Sequence, residues 1–253
     1  MFKQFFQGKK AVIFDLDGTL VDTLPIWDKA FEKVITDLGY EWRGANFVGG
    51  KGVSNTWRSY LNFMGIKPGV PISDLVKHTK SQFLISLKEM PLQVKDGFWS
   101  FSNELKNEKN FKLGMVTNTD REVGEKIVQK IGVDDIFDVY LYGDDVKNKK
   151  PNPEIYKRAQ KELALKAREI LVFEDSPIGA KAAEKANMDT MIVWDWRRAE
   201  KTDFPSQVLE YIPDFSIFPG HLDKTYKESL LEVTEEEVES EAEESSGGNE
   251  TSE

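Results

Sequence analysis

Apolar positions along the chain fall into two alternating patterns. Ala11-Val12-Ile13-Phe14 is a short unbroken apolar run, the pattern of a buried strand. It stops at Asp15-Leu16-Asp17-Gly18-Thr19, where Gly18 lets the chain turn away. Helical spacing follows. Asp22-Thr23-Leu24-Pro25 carries polar capping residues and a first-turn proline, and Ala30, Phe31, Val34, Ile35 and Leu38 then share one face up to Gly39. A second helix is predicted over Val53 to Met64, with Trp57, Tyr60, Leu61 and Met64 on one side and Gly65 and Pro68-Gly69 as breakers. Ile72, Val76, Phe83, Leu84 and Leu87 mark a third, ended before Pro91. Residues 22–92 therefore read as a small helical unit inserted directly after the first strand.

Beyond Gly97 the two periods alternate. Phe98, Phe101, Ser102 and Leu105 predict a helix; Lys112 to Val116 a strand; Val123, Ile127 and Ile131 a helix closed by Gly132. Val139 to Tyr142 reads as a strand, and Glu154 to Leu165 as a helix opened by Pro151-Asn152-Pro153. Ile170 to Phe173 is a strand, Gly179 to Ala186 a helix of small residues, and Thr190 to Trp194 a further strand, with Val208 to Ile212 as one more at the edge. Strands alternating with helices predict an α/β fold with a parallel sheet. The organisation expected is a core from residues 1–21 and 93–219, the helical insertion at 22–92, and a tail at 220–253.

Composition changes this picture at one end. Ten of the 44 acidic residues are glutamates from Glu232 onward, where lysine and arginine are absent; the remaining 34 balance the 34 lysines and arginines. The formal net charge of −10 thus belongs to the tail. A neutral body gives no whole-domain electrostatic case for nucleic-acid binding. Thr225 to Val238 is expected to be partly helical. Glu239 to Glu253 has almost nothing to bury and reads as disordered, a solubilising tail or else an acidic partner-binding segment. With no cysteine, disulfides, thiolate metal sites and cysteine nucleophiles are excluded. No apolar run reaches membrane-spanning length, and residues 1–10 lack the apolar core of a secretory signal; a cytoplasmic location is expected, and, separately, a monomer.

Candidate chemistry gathers where strands end. In an open parallel sheet ligands sit outside the carboxyl ends of the strands. Asp15 and Asp17, one residue apart on a turn, repel each other, and a divalent cation would relieve that. Thr117-Asn118 offers a hydroxyl and backbone N–H groups for a phosphate oxygen, or alternatively a helix N-cap. Lys150, in Lys149-Lys150-Pro151-Asn152-Pro153, either offsets phosphate charge or is a surface lysine. Glu174-Asp175-Ser176-Pro177 supplies hard oxygen ligands suited to magnesium, or caps the next helix. His78 and His221 have no metal-like partner spacing and receive no role, and Trp194 and Trp196 read as packing at a strand end.

The order of these groups carries more weight than any one of them. Asp15-Leu16-Asp17-Gly18-Thr19-Leu20-Val21-Asp22 after an apolar strand resembles the first motif of the haloacid dehalogenase-like (HAD) hydrolases. Ile131-Gly132-Val133 to Phe137-Asp138, Gly143 to Val146, Lys150 to Tyr156 and Val172 to Ala183 extend the match over roughly residues 8–215. They follow the branch that contains β-phosphoglucomutase and sugar-phosphate phosphatases. The resemblance implies a Rossmann-like core with a helical cap at 22–92, hinged at Val21-Asp22. It implies Asp15 as nucleophile, Asp17 as general acid and base, and Thr117, Asn118 and Lys150 holding the phosphoryl group. Mg2+ would be held by Asp15, the Asp17 carbonyl and Asp175, with Glu174 through water, and Lys51 and Ser54 would touch substrate from a cap loop.

Departures from the family pattern refine the expectation. Lys149 stands where glycine commonly precedes the motif lysine, and Asn187 where Ala-Gly-Met is common; asparagine tolerates the left-handed, helix-ending conformation. The mutase pattern has arginine where this chain has Asn55 and histidine where it has Trp27, which favours a phosphatase over a mutase. Phosphonate cleavage would need a Schiff-base lysine, and nothing marks Lys29 or Lys33 as desolvated. A non-catalytic binding protein on the same scaffold is disfavoured because all four motifs keep competent residues. The function expected is magnesium-dependent hydrolysis of a small phosphorylated metabolite, most readily a sugar phosphate.

Overall fold

The computed structural model describes residues 2–43, 52–108 and 110–218; Lys51, one of the residues singled out above, and the tail from residue 219 lie outside them. Six parallel strands form one sheet in the order β3-β2-β1-β4-β5-β6: β1 (Ala11–Phe14), β2 (Lys112–Val116), β3 (Val139–Leu141), β4 (Ile170–Glu174), β5 (Asp189–Val193) and β6 (Glu210–Ile212). Parallel sheets are covered on both faces, and their strands are accordingly continuous apolar runs. All four residues of β1 are fully buried. Its neighbours are in register, with Phe14 opposite both Met115 of β2 and Phe173 of β4. The ends of three adjacent strands therefore lie side by side.

Each face of the sheet has its own core. Phe14 stacks on Phe173 at 5.3 Å and meets the edges of Phe98 and Phe215 at 5.6 and 5.5 Å. Aromatic pairs of this kind add about 0.5–1.5 kcal/mol each beyond the area they bury. On the other face, Ile13 and Val172 pack against Ile155, Tyr156 and Ala159 of α6 (Glu154–Leu163) and Ala182 and Ala183 of α7 (Pro177–Lys185). Small residues on α7 bring that helix close to the strands.

Between β1 and the next core helix the chain forms α1 (Leu24–Asp37), α2 (Val53–Met64) and α3 (Ile72–Glu89). They pack on one another through Trp27 stacked on Phe83 at 3.9 Å and Phe31 against Trp57 at 5.2 Å. The buried Trp57 indole donates to Thr79 Oγ1 at 2.9 Å, so no polar group is stranded there. The two crossings between sheet and helices run side by side. Val21 pairs antiparallel with Val94, and the Lys95 amide donates to the Leu20 carbonyl at 2.8 Å.

Departures from the sequence reading are local. The helix predicted at Phe98 to Leu105 divides into α4 (Phe98–Asn103) and a wider π turn at Glu104–Glu108. α5 spans Arg121–Lys130. α6 stops at Leu163 because Ala164 adopts a left-handed conformation, φ 56°. Asn187 takes φ 59°, the conformation for which asparagine substitutes for glycine. Trp194 packs on Tyr211 at 6.1 Å and donates to the Ala199 carbonyl, but Trp196 is 73% exposed and does not pack as expected. It lies beyond the end of β5, where strand alternation no longer directs a side chain inward. Among the described residues no helix is long and apolar enough to cross a membrane.

Phe215, far along the chain, is fully buried in the aromatic cluster beneath β1. Phe215→Ala is expected to lower unfolding stability by about 3–5 kcal/mol, measured by denaturant titration. A loss below about 1 kcal/mol would contradict this packing.

Candidate active site

The sheet sets the layout of the site. Asp15 leaves the end of β1, Thr117 to Asp120 follow β2, Lys150 lies in the loop after β3, and Glu174 ends β4 with Asp175 next to it. All of these except Glu174 line a cavity of about 220 Å³. Leu24, Trp27, Phe31, Val53 and Val76 of the inserted helices enclose its other side, together with Ser54 and Asn55 at the start of α2.

Lys150 joins the pieces. Its ammonium is buried and donates to Asp15 Oδ1 at 2.6 Å, to Glu174 Oε1 at 2.6 Å and to the Val116 carbonyl at 3.2 Å. Three acceptors from the ends of β1, β2 and β4 thus use its three protons. Burial alone would lower the Lys150 pKa, but Asp15 and Glu174 outweigh it and hold the group above the ordinary lysine range. Asn118 fixes the backbone on either side: the Lys150 amide donates to Asn118 Oδ1 at 2.9 Å, and Asn118 Nδ2 donates to the Lys150 carbonyl at 3.3 Å.

Glu174 is entirely buried, and its oxygens are shared among several donors. Beside Lys150, the Tyr156 hydroxyl donates to Oε1 at 2.5 Å and the Ser176 hydroxyl to Oε2 at 3.2 Å. Gly179 makes room for it, since a Cβ there would lie 2.0 Å from the carboxylate. Ser176 also caps α7, accepting from the Gly179 amide at 3.1 Å, so the capping expectation for this segment is met by Ser176. After β2, the N-cap position of α5 is Asp120, which leaves Thr117 and Asn118 available to the site.

The two aspartates of the first turn have different surroundings. Asp17 accepts from the hydroxyls of Thr23 (2.6 Å, Oδ1), Thr117 (2.9 Å, Oδ2) and Thr119 (2.8 Å, Oδ2), and the Trp27 indole lies 3.5 Å from Oδ1. Asp15 faces Lys150 and the carboxylates of Glu174 and Asp175. Burial raises the Asp15 pKa well above the ordinary value; Lys150 opposes this, while Glu174, Asp175 and Asp17 add to it. Asp175 is pushed to about 7 by burial and by Glu174, against Arg198, Lys95 and Lys150.

Asp15, Glu174 and Asp175 offer carboxylate oxygens that all lie within 4.8 Å of one another. Buried carboxylates whose charge is incompletely balanced, presenting hard oxygen atoms, fit a divalent cation of the magnesium type. The Asp17 side chain is turned instead toward the threonines.

Several participants were not singled out from sequence. Thr119 sits two residues after Thr117, and Tyr156 falls inside the quoted Lys150-to-Tyr156 segment, so both carried a signal of position without one of role. Thr23 occupies the N-cap position of α1, as the helix-start pattern predicts, but its hydroxyl bonds Asp17 rather than a helix amide. Lys80 of α3 and Lys149 both pair with Asp120 at the cavity wall; burial would raise the Asp120 pKa, but the two lysines hold it below the usual carboxylate range. Lys149, which replaces the expected glycine, also donates to the Asn118 carbonyl at 3.1 Å. Arg198 reaches Asp175 at 3.3 Å and Asp22 at 2.6 Å from a loop with no motif character.

The chain is similar to known proteins. The phosphorylated carbohydrates phosphatase of Thermotoga maritima is 29% identical over 197 residues, covering 71% of this chain and 82% of that one. Fructose-1-phosphate phosphatase YqaB of Escherichia coli is 27% identical over 193 residues, covering 74% and 98%. The crystal structure of CbbY from Rhodobacter sphaeroides in complex with phosphate superposes with a TM-score of 0.73 at 24% identity, covering 85% of this chain and 96% of that one, which shows a common fold. The family model for haloacid dehalogenase-like hydrolases matches residues 12–193, from β1 through β5 with every strand-end group described above, and the chain is a member of that family.

Proposed function

We propose that this protein is a magnesium-dependent phosphatase that hydrolyses a small phosphorylated metabolite, in the first place a sugar phosphate, through a phosphoaspartyl intermediate on Asp15. The observation that carries the reading is the Lys150 ammonium, 2.6 Å from both Asp15 and Glu174 at the wall of a cavity. A carboxylate meant to attack a phosphate must approach a like-charged group, and a fixed buried cation offsets that repulsion. Relatives named as phosphatases of phosphorylated carbohydrates and of fructose 1-phosphate support the substrate class.

In the first step an Asp15 carboxylate oxygen forms a bond to phosphorus while the bond to the leaving oxygen breaks. Asp17, in its protonated form, gives its proton to that oxygen. In the second step Asp17 takes a proton from water, the water oxygen attacks phosphorus, and the Asp15 carboxylate leaves. Three threonine hydroxyls and the Trp27 indole orient Asp17 for both transfers. Asn118 secures Lys150 through its backbone, and Glu174 and Tyr156 secure its ammonium from beneath. Asp15, Asp175 and the Asp17 carbonyl would hold magnesium, with Glu174 through water; when bound it would neutralise charge on the transferring phosphoryl group. The helices at 22–92 act as a cap that excludes bulk water when closed, and Leu24, Trp27, Phe31, Val53 and Val76 form its apolar lining. Ser54 and Lys51 belong to the substrate-selecting part of this cap. Trp27 offers Asp17 an indole N–H that does not titrate near neutral pH, where the mutase pattern places a histidine. Together with Asn55, which stands where that pattern has arginine, this favours water as the acceptor of the phosphoryl group.

Incubation with p-nitrophenyl phosphate and a panel of hexose phosphates should release inorganic phosphate only when magnesium is present. Asp15→Asn should lower the rate by about 10³-fold or more. Activity that survives that substitution removes Asp15 as the nucleophile, and conversion of a hexose 1-phosphate to the 6-phosphate supports the mutase. Lys150→Met leaves two buried carboxylates without their cation. It should cost about 3–5 kcal/mol of stability at pH 8 and less at acidic pH, where the Asp15 carboxyl, held above its ordinary pKa by burial, takes up a proton, by chemical denaturation. Asp175 has a raised pKa in the folded chain, so its stabilising share is complete below the ordinary value of 3.8 and is lost as pH rises to about 7. Metal-free protein should therefore lose stability across that window relative to Asp175→Asn, and parallel pH profiles of the two would refute the shift.

A further inference from the structure

Arg198 lies in the loop after β5, and its side chain is only 16% exposed. Its guanidinium meets carboxylates from three parts of the chain. Nη2 donates to Asp22 Oδ1 at 2.6 Å, Nη1 to Asp175 Oδ2 at 3.3 Å, and Nε lies 3.3 Å from Asp195 Oδ2. Asp175 is one of the carboxylates read above as holding magnesium. Asp22 follows Val21 at the start of the outgoing crossing from the sheet to the inserted helices. The returning crossing is present as well: Val94 pairs with Val21, and Lys95 interacts electrostatically with Arg198, Asp175, Asp22 and Asp195.

The turn after β1 is shaped around this contact. Gly18 adopts φ 96°, and a Cβ there would lie 2.0 Å from Asp175 Oδ2 and 2.6 Å from Arg198 Nη1. Only the absence of a side chain lets the arginine and aspartate meet. The proposed chemistry has no need of this guanidinium, because Lys150 serves Asp15 and Glu174 and the threonines serve Asp17. A cation held by Asp15 and Asp175 would, however, lie close to it. Like charges a few ångströms apart in a poorly screened site repel strongly. Arg198 has somewhere to go, since Asp22 and Asp195 remain as partners once Asp175 is taken. Lysine could not replace it, because a single ammonium lacks the planar fork that spans separate carboxylates.

We infer that Arg198 is a positioning residue that serves as the resident counter-ion of Asp175 in the metal-free protein and, on displacement, passes metal occupancy to the cap hinge at Asp22. The inference rests on Asp15 and Asp175 being the magnesium position.

The test uses the full chain and magnesium alone, without substrate. Calorimetry gives the magnesium affinity, and amide hydrogen exchange over residues 20–24 and 93–96 gives the hinge response. Wild type should bind magnesium and change its exchange in both segments. Arg198→Gln should bind magnesium about tenfold more tightly, since the competing charge is gone, and lose the hinge response. Arg198→Lys keeps the charge, so its affinity should stay within about threefold of wild type while the hinge response is lost. Asp22→Asn alters a half-exposed side chain outside the metal position; it should keep magnesium binding and lose the hinge response. Equal affinity in wild type and Arg198→Gln overturns the inference, as does a hinge response that persists in both Arg198→Gln and Asp22→Asn. Wild type that binds no magnesium, or binds it equally well as Asp175→Asn, overturns the magnesium position itself and the inference with it.

Discussion

One buried ammonium organises this molecule. Lys150 gathers Asp15 and Glu174 from strands that are neighbours in the sheet, and adds the carbonyl of Val116 from a third. Without it, those strand ends would carry buried carboxylates at close range with no cation between them. Burying an ion is costly and is tolerated only when its hydrogen bonds are satisfied in good geometry. The supporting parts follow from that requirement. Asn118 brackets the backbone of Lys150, Tyr156 and Ser176 complete Glu174, and Gly179 lets the carboxylate in beneath α7.

The proportion of this that was legible in the sequence differs between fold and site. Continuous apolar runs identified the strands, because a strand buried on both faces has no other pattern available. Helical stripes placed the inserted helices equally well. Boundaries shifted where the backbone made a choice that hydrophobicity does not encode, as at Ala164 and in the π turn after Asn103. Trp196 shows the limit of reading a large apolar residue as packing, since periodicity ceases to constrain a side chain once the strand has ended.

Within the site, the residues that hang directly from strand ends were readable, because topology alone carries them to one edge. Their partners were not. Thr23 and Thr119 meet at Asp17 only because the first turn and the loop after β2 fold toward each other. Glu174 was expected beside the metal, and its carboxylate does lie with those of Asp15 and Asp175, but its bonds to Lys150, Tyr156 and Ser176 had no signal in the sequence. Arg198 crosses from a loop of no periodic character, and its meeting with Asp22 and Asp175 is a three-dimensional fact.

The register of the sheet has a further consequence. Phe14 is aligned with Met115 on one side and Phe173 on the other, so Asp15 and the groups after β2 and β4 begin one strand apart. That interval is set by amide hydrogen bonding at about 4.8 Å. Side chains can be exchanged and loops can lengthen, but the pitch of the ladder stays the same. The protein spaces the groups of its cavity with a ruler made of peptide bonds, and the surface of the helices opposite can be recut without disturbing that scale.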